Sequence, residues 1–391
     1  VPRQSNRVAA SHVRPAPGRE CIAACTKGLE DVLAGELTAL GAREVSAGRG
    51  SVTFVADLET FYRTALHLRT AVRVLVPVCD GEVRSPEDLY DLVASVDWSR
   101  YTSVDRTLAV ECNVKDSAIT HSGYAALKVK DAVVDQFRDN TGERPNIDRE
   151  NADLRLALRV FRDHATLSLD ATGDSLHKRG WRPIQVKSPL NEAIAAGIVL
   201  LSGWDRSSVL VDPMCGSGTL PVEAALIASD TAPGLLRDEF AFHRWPDFDS
   251  ALWNRVKDEA RARVKPVPAG LIFGNDLHGG ALDLARKGAK AAGVDGSVTL
   301  FNKDISEWQP PAPPKVVVVN PPYGERLGDA DDLPALYKSL GSFLKKQCQG
   351  ASAFVLSGNP EITRHIGLKA MRKHVLFNGP IECRLLRYDI Y

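Results

Sequence analysis

The chain has 391 residues, 44% hydrophobic and 25% charged, enough for two or three packed domains and unlike a low-complexity or fibrous protein. Lys plus Arg and Asp plus Glu both number 49, so a polyanion partner must meet a local basic patch rather than bulk charge. Seven cysteines without a CxxC pair exclude a disulfide framework and a zinc knuckle, and no apolar run approaches the roughly 20 residues of a membrane span. Free thiols in a reducing, cytoplasmic setting are expected.

Residues 1–19 hold Arg3, Arg7, Arg14 and Arg19 without an acid or a signal-peptide-like apolar stretch, so a disordered basic tail is expected. Residues 20–78 read as a small α+β unit. Cys21–Ala24 is a short apolar run, Leu29–Leu40 a helix ended by Gly41, and Ser51–Val55 an alternating strand. Leu58–Leu68 is helical, and Ala71–Val78 is a strand with Val72, Val74 and Val76 on one face.

A second unit, residues 79–182, opens with a helix over Ser85–Ser95, with Ser85 as N-cap and Pro86 at the first position. A strand over Leu108–Val114 and a helix over Tyr124–Asp139 follow. Leu154–Phe161 and Ala165–Leu169 read as strands joined by the turn Arg162-Asp163-His164. The unit closes on His177, Lys178, Arg179 and Arg182, with Lys187 just beyond and no acid between Ser175 and Leu190. Basic residues interleaved with Trp181 can track phosphates and stack a base; the competing reading is a solvated linker with Trp181 packed into a domain junction.

Residues 183–189 are the expected linker into a domain over 190–391. Leu190–Leu201 is an apolar helix, Ser208–Val211 a strand and Leu220–Ser229 a helix. An insertion rich in Trp, Phe, Pro and Arg spans about 231–270, where Arg237, Phe240, Phe242, Arg244 and Trp245 either contact substrate or close the domain. Strands over Leu271–Gly274, Val298–Phe301, Val316–Val319 and Ala353–Leu356 alternate with helices over Gly280–Ala292 and Leu333–Cys348, the pattern of a doubly wound parallel sheet. Val375–Phe377 and Cys383–Tyr391 add closing strands around the turn Asn378-Gly379-Pro380.

Two stretches carry chemistry. Four valines read as a strand buried on both faces, and Pro321 and Pro322 stop it at once, because proline cannot donate to the ladder. Asn320 and the Pro321 carbonyl therefore sit at the carboxyl end of a central strand, where open α/β sheets bind ligands. An amide oxygen, a free carbonyl and the ring of Tyr323 suit a planar substrate bearing an amino group. The other stretch is Asp212-Pro213-Met214-Cys215-Gly216-Ser217-Gly218-Thr219. Its glycines permit positive φ and close ligand approach, but the third glycine of a dinucleotide fingerprint is replaced by Pro221, and no Walker A loop is present. Asp212 would repel a pyrophosphate and suits a cation, which favours S-adenosylmethionine. Asp276 can accept both ribose hydroxyls and Asp304 the adenine amine, with Ile305 packing on the ring. No His or Lys neighbours Cys215, so a thiol filling the turn is a better account than a nucleophile. His177, His243 and His278 lack ligand spacing, and no metal is expected.

Asp212–Thr219 together with Asn320-Pro321-Pro322-Tyr323 resembles the class I, S-adenosylmethionine-dependent amino methyltransferases. The run Tyr124–Asp135 and the run Ser168–Arg182 resemble a THUMP domain. The combination is similar to bacterial THUMP-containing guanine-N2 methyltransferases that act on 23S ribosomal RNA, with tRNA enzymes as relatives. The resemblance implies a ferredoxin-like/THUMP α+β module that grips RNA, followed by a Rossmann-like methyltransferase domain with a mostly parallel seven-stranded sheet. It implies cofactor contacts at Asp212, Met214, Cys215, Gly216, Gly218, Thr219, Asn275, Asp276, Asp304, Ile305 and Asn320. It places the catalytic residues at Asn320, Pro321, Pro322 and Tyr323. RNA contacts are expected at Lys128, Lys130, His177, Lys178, Arg179, Trp181, Arg182 and Lys187. Some relatives are fused to a second modifying domain; since this chain ends at Tyr391, that activity is not expected in it.

On this reading Asn320 Oδ1 and the Pro321 carbonyl accept the two N–H bonds of a flipped-out guanine amine, Tyr323 stacks on the base and Pro322 fixes the turn. The motif by itself fixes only the atom type, so adenine-N6 and glutamine side-chain methylation remain rivals, as does an RNA-binding factor without activity. A cytoplasmic monomer is expected.

Overall fold

The computed structural model describes residues 18–182, 190–322 and 333–391. The linker expected over 183–189 and all but the last two residues of the expected tail lie outside them. Arg19 is no tail residue: it starts β1 (Arg19–Cys25), pairs with Asp247 at 2.6 Å and lies 4.7 Å over the Phe61 ring.

The N-terminal half continues with α1 (Glu30–Ala39), β2 (Arg43–Ala47), β3 (Ser51–Ala56), α2 (Leu58–His67), β4 (Ala71–Glu82) and α3 (Pro86–Ala94). Then come β5 (Thr107–Lys115), α4 (Ser122–Thr141), β6 (Asn146–Ile147), β7 (Leu154–Phe161) and β8 (His164–Asp170). Helix α3 starts where expected because Ser85 and Asp88 cap each other, Asp88 N donating to Ser85 Oγ at 3.1 Å and Ser85 N to Asp88 Oδ2 at 2.9 Å. All eight strands form one sheet in the order β2-β3-β1-β4-β8-β7-β5-β6. Strand β4 runs through the boundary expected at 78/79, pairing Leu75 with Ile22 of β1 and Glu82 with His164 of β8. The two small units therefore share a strand. Strand β2 has no counterpart in the sequence reading: it is a polar, bulged edge strand, with Glu44 at φ 50° and a register shift between Arg43 and Ser46.

The C-terminal half holds α5 (Glu192–Leu201), β9 (Leu210–Asp212), α6 (Thr219–Ala228), α7 (Ser250–Ala262), β10 (Ile272–Asn275), α8 (Gly279–Ala291) and β11 (Val298–Phe301). It ends with β12 (Val316–Val319), α9 (Leu333–Gln347), β13 (Ser352–Ser357), β14 (Arg372–Asn378) and β15 (Ile381–Asp389). The sheet order is β11-β10-β9-β12-β13-β15-β14, parallel except where β15 runs against β13 and β14. This is the expected class I methyltransferase fold. All four β12 valines are buried. Val316 and Val318 join the core under α5 and α6, whereas Val317 and Val319 join the core under α9.

The insertion packs against the N-terminal half. Phe242 stacks on Tyr62 of α2 at 5.2 Å and Trp245 on Phe61 at 6.0 Å. Arg237 donates to the carbonyls of Thr172, Asp174, Ser175 and Lys178, and Arg244 donates to Asn151 O at 3.0 Å. A buried ionic tie joins the two halves. Arg179 meets Glu223 of α6 at 3.5 Å, both side chains essentially without solvent exposure, and also donates to Arg69 O. Arg69 in turn donates to Thr231 O at 2.9 Å. Removing one partner of such a pair strands the other charge. Arg179→Ala should therefore lower unfolding free energy by about 3–5 kcal/mol, read from denaturant midpoints with the slope unchanged.

Candidate active site

The strand order reverses between β9 and β12, and the crevice at such a reversal is where doubly wound sheets hold ligands. Four strand ends meet there: Asp212 on β9, Asn275 and Asp276 on β10, Asp304 after β11, and Asn320 after β12. The glycine turn leads from β9 into α6. Gly216 and Gly218 have φ of 53° and 81°, the conformation expected of them, and a Cβ on Gly218 would lie 2.7 Å from Ala285 Cβ.

The three acids differ in their surroundings. Asp212 is buried and accepts from Met214 N at 3.2 Å. Burial pushes its carboxyl well above the usual carboxylate range; the Met214 N–H opposes the rise and the nearby Asp276 charge adds to it. Asp276 is half-buried and accepts from Gly216 N at 2.8 Å and His278 N at 2.9 Å, which ties β10 to the turn and leaves lone pairs on both oxygens. Asp304 is exposed, and hydrogen bonds from the Ser306 hydroxyl and N–H hold its carboxyl below the usual range. Ile305 beside it is buried.

Asn275 departs from expectation. Its amide is buried and wholly used by backbone: Nδ2 donates to Pro213 O at 3.2 Å and Lys303 O at 3.0 Å, and Oδ1 accepts from Lys303 N at 3.2 Å. The residue laces three strand-end loops together and does not offer its side chain to a ligand. Cys215 lies behind the turn, and burial pushes its thiol well up. Met214 is half-buried against the α9 core, and Thr219 accepts from Arg182.

At the end of β12, Asn320 Oδ1 is buried and has no hydrogen-bond partner among the described residues. A buried amide oxygen without a donor is unfavourable by about 1–3 kcal/mol. Pro321 is buried and Pro322 exposed; Tyr323 lies outside the described residues. An acid suited to a cation, a turn open to backbone approach and a carboxylate with spare lone pairs fit a cationic nucleoside such as S-adenosylmethionine. The sequence reading missed Leu277, an apolar side chain 60% exposed directly after Asp276. A lone leucine outside any periodic run carries no signal in the sequence.

Residues 179–387 match the family described as RMKL-like, methyltransferase domain. The chain belongs to that family. Residues 83–170 match the THUMP domain and residues 20–75 the RlmL ferredoxin-like domain. The RMKL-like chain is 46% identical over 380 residues to Ribosomal RNA large subunit methyltransferase K/L of Syntrophotalea carbinolica, covering 94% of this chain and 53% of that protein. It thus spans about half the length of the K/L relatives it matches. A candidate RNA methyltransferase of Synechocystis sp. is 36% identical, with 95% of this chain and 97% of that one covered. Among solved structures, a candidate methyltransferase complexed with SAH, SMU.472, shares 30% identity with a TM-score of 0.87, covering 96% of this chain and 99% of that one.

The residues expected on RNA divide sharply in this RMKL-like chain. Arg179 and Trp181 are each 2% exposed and cannot touch a polymer: Arg179 is in the ionic tie and Trp181 packs beside Gly288 of α8. Arg182 faces the glycine turn, not solvent. His177 is half-buried against Ser175 Oγ at 2.7 Å, and burial holds its imidazole below the usual range. Lys178 is exposed beside Asp174. Lys128 lies over the exposed Tyr124 ring at 5.6 Å, and Lys130 pairs with Asp131 at 2.6 Å. Lys187 lies outside the described residues. No His/Cys/Asp/Glu cluster able to hold a metal occurs among the described residues, and no helix of theirs is long and apolar enough to cross a membrane.

Because Asn275 satisfies two carbonyls and an N–H at once, Asn275→Ala should destabilise the fold by about 1–3 kcal/mol. A chemical denaturation series measures that loss.

Proposed function

We propose that the chain transfers a methyl group from S-adenosylmethionine to the exocyclic N2 of a guanine in 23S ribosomal RNA. The observation that carries this reading is the buried Asn320 Oδ1, which lacks a donor among the described residues at the switch point of a methyltransferase sheet. The name of the K/L relatives and the THUMP domain in the N-terminal sheet support ribosomal RNA as the polymer. Between α4 and β5 a groove of about 880 Å³, lined by Tyr124, Leu127, Lys130, Ile147 and Arg149 among others, combines apolar and cationic groups suited to unpaired nucleotides.

S-adenosylmethionine, when bound, supplies a methyl group made electrophilic by its sulfonium. Asp212 and Asp276 would hold its cationic and ribose portions, Gly216 and Gly218 would admit its backbone-close approach, and Leu277 and Ile305 would flank the purine. The amine lone pair of guanine is delocalised into the ring. Asn320 Oδ1 and the Pro321 carbonyl accept its two N–H bonds, favour a pyramidal nitrogen and stabilise the positive charge that develops there. The proton is lost to solvent after the transfer, so no general base is required.

Incubation with labelled cofactor and naked 23S rRNA or tRNA, followed by nucleoside mass spectrometry, tests the reading. N2-methylguanosine in 23S rRNA is the expected product; N6-methyladenosine, or label confined to tRNA, refutes it. Asn320→Ala should keep cofactor affinity and lose at least about 10²-fold in single-turnover rate. Cofactor binding should also depend on pH. Asp212 is raised, so it stays protonated above the range where an ordinary aspartate has ionised; a cation bound beside it favours the ionised form and expels the proton. Affinity should therefore rise with pH through the raised value and level off above it, and Asp212→Asn should flatten the slope in calorimetric titrations.

A further inference from the structure

The glycine turn packs on α8 through Gly218 and on β10 through Cys215, but its tip at Gly216 stands open. A Cβ on Gly216 would meet nothing within 4 Å, and polar ties hold the turn on either side of it. On one side Asp276 takes the Gly216 N–H. On the other, the Arg182 guanidinium donates through Nη1 to Ser217 Oγ at 3.2 Å and through Nη2 to Thr219 Oγ1 at 2.9 Å, the two hydroxyls that bracket Gly218. Its Nε meets Glu192 Oε1 of α5 at 2.7 Å, which neutralises its charge and fixes the plane of the fork.

Arg182 lies on the strap that leaves the N-terminal sheet after β8. Leu176 N and Ser175 Oγ both donate to Val72 O of β4, at 2.8 and 3.0 Å. Arg179 enters the ionic tie to α6. Gly180 has φ of 99°, and a Cβ there would lie 2.3 Å from Leu236 O. Trp181 is wedged beside Gly288, with the Arg182 guanidinium 4.9 Å from its ring. Ser175, Leu176, Arg179, Gly180 and Trp181 are thus each held against one half of the molecule or the other, and Arg182 hands the N-terminal module's position to the cofactor turn.

We propose that Arg182 is a positioning residue for methyl transfer, which holds Ser217 and Thr219 in their binding arrangement and couples RNA engagement of the N-terminal module to cofactor affinity. The identities of RNA and cofactor rest on the functional reading above. Linkage makes the coupling reciprocal: RNA tightens the cofactor by the factor by which cofactor tightens RNA.

The test titrates S-adenosylhomocysteine into the full chain, with and without 23S rRNA, for wild type, Arg182→Gln and Arg182→Lys. In wild type, RNA should tighten binding at least about fivefold, the lower end of ordinary coupling. Arg182→Gln should weaken RNA-free binding and abolish the RNA enhancement, with cofactor-free RNA affinity unchanged and the thermal midpoint lowered, because Glu192 loses its ionic partner. Arg182→Lys keeps the charge beside Glu192 but not the fork, and should recover little of the enhancement. Full enhancement in Arg182→Gln overturns the proposal. Should that variant unfold, Thr219→Val removes one acceptor without removing a charge, and undiminished enhancement there overturns it equally. RNA that binds wild type without changing cofactor affinity refutes the coupling alone; RNA that does not bind at all refutes the functional reading with it.

Discussion

Proline has no N–H to give a sheet ladder, and β12 meets two prolines in succession at its carboxyl end. Because all four preceding residues are valine, a slip of one position would leave the same side chain facing either core. Register has to come from the ends. Pro321 and Pro322 set one of them; Lys315, exposed and bonded through its N–H to Val209 O at 2.9 Å, sets the other. Between these limits Asn320 has one place to go, the crevice beside β9, with its amide oxygen turned inward and without a protein donor among the described residues. The chemistry of the site follows from where a strand is forced to stop.

Elsewhere the site is built from polar ties rather than packed side chains. Asn275 laces three loops, Asp276 holds Gly216, and Asn302 donates to the carbonyls of Asp276 and Leu277 at 2.9 and 2.8 Å. Such an arrangement leaves the backbone of the turn uncovered, as a ligand that approaches it closely requires, while keeping its shape before the ligand arrives. The three acids meet different surroundings for the same reason. Asp212 is enclosed by the sheet, Asp276 is spent partly on the turn, and Asp304 stands in solvent among serine donors.

The Rossmann-like half was legible because its signals are local: a valine run stopped by prolines, a glycine turn after a strand, and acids at successive strand ends. Helix starts such as Ser85-Pro86 were legible for the same reason. Strand β2 was not, since Arg43–Ala47 is exposed apart from the half-buried Val45 and offers one strong apolar residue to signal a strand. The basic run through Arg182 misled because charge in a sequence says nothing about partners distant in the chain. Glu223 and Glu192 lie 44 and 10 residues away from the arginines they meet. Asn275 looked like a ligand contact for a similar reason: a polar residue at a strand end can serve the backbone as readily as a guest.

The shared strand β4 bears on how the protein reaches its shape during synthesis. Its partner β1 precedes it by α1, β2, β3 and α2, but β8 does not exist until residue 170 has been made. Until then the edge of β4 that β8 will cover is an unpaired row of N–H and C=O groups, open to other chains. Pro77 and the register shift between Pro77 and Cys79 interrupt that edge. An edge interrupted in this way is a poorer template for neighbouring chains on a crowded polysome until the strand that completes it is made.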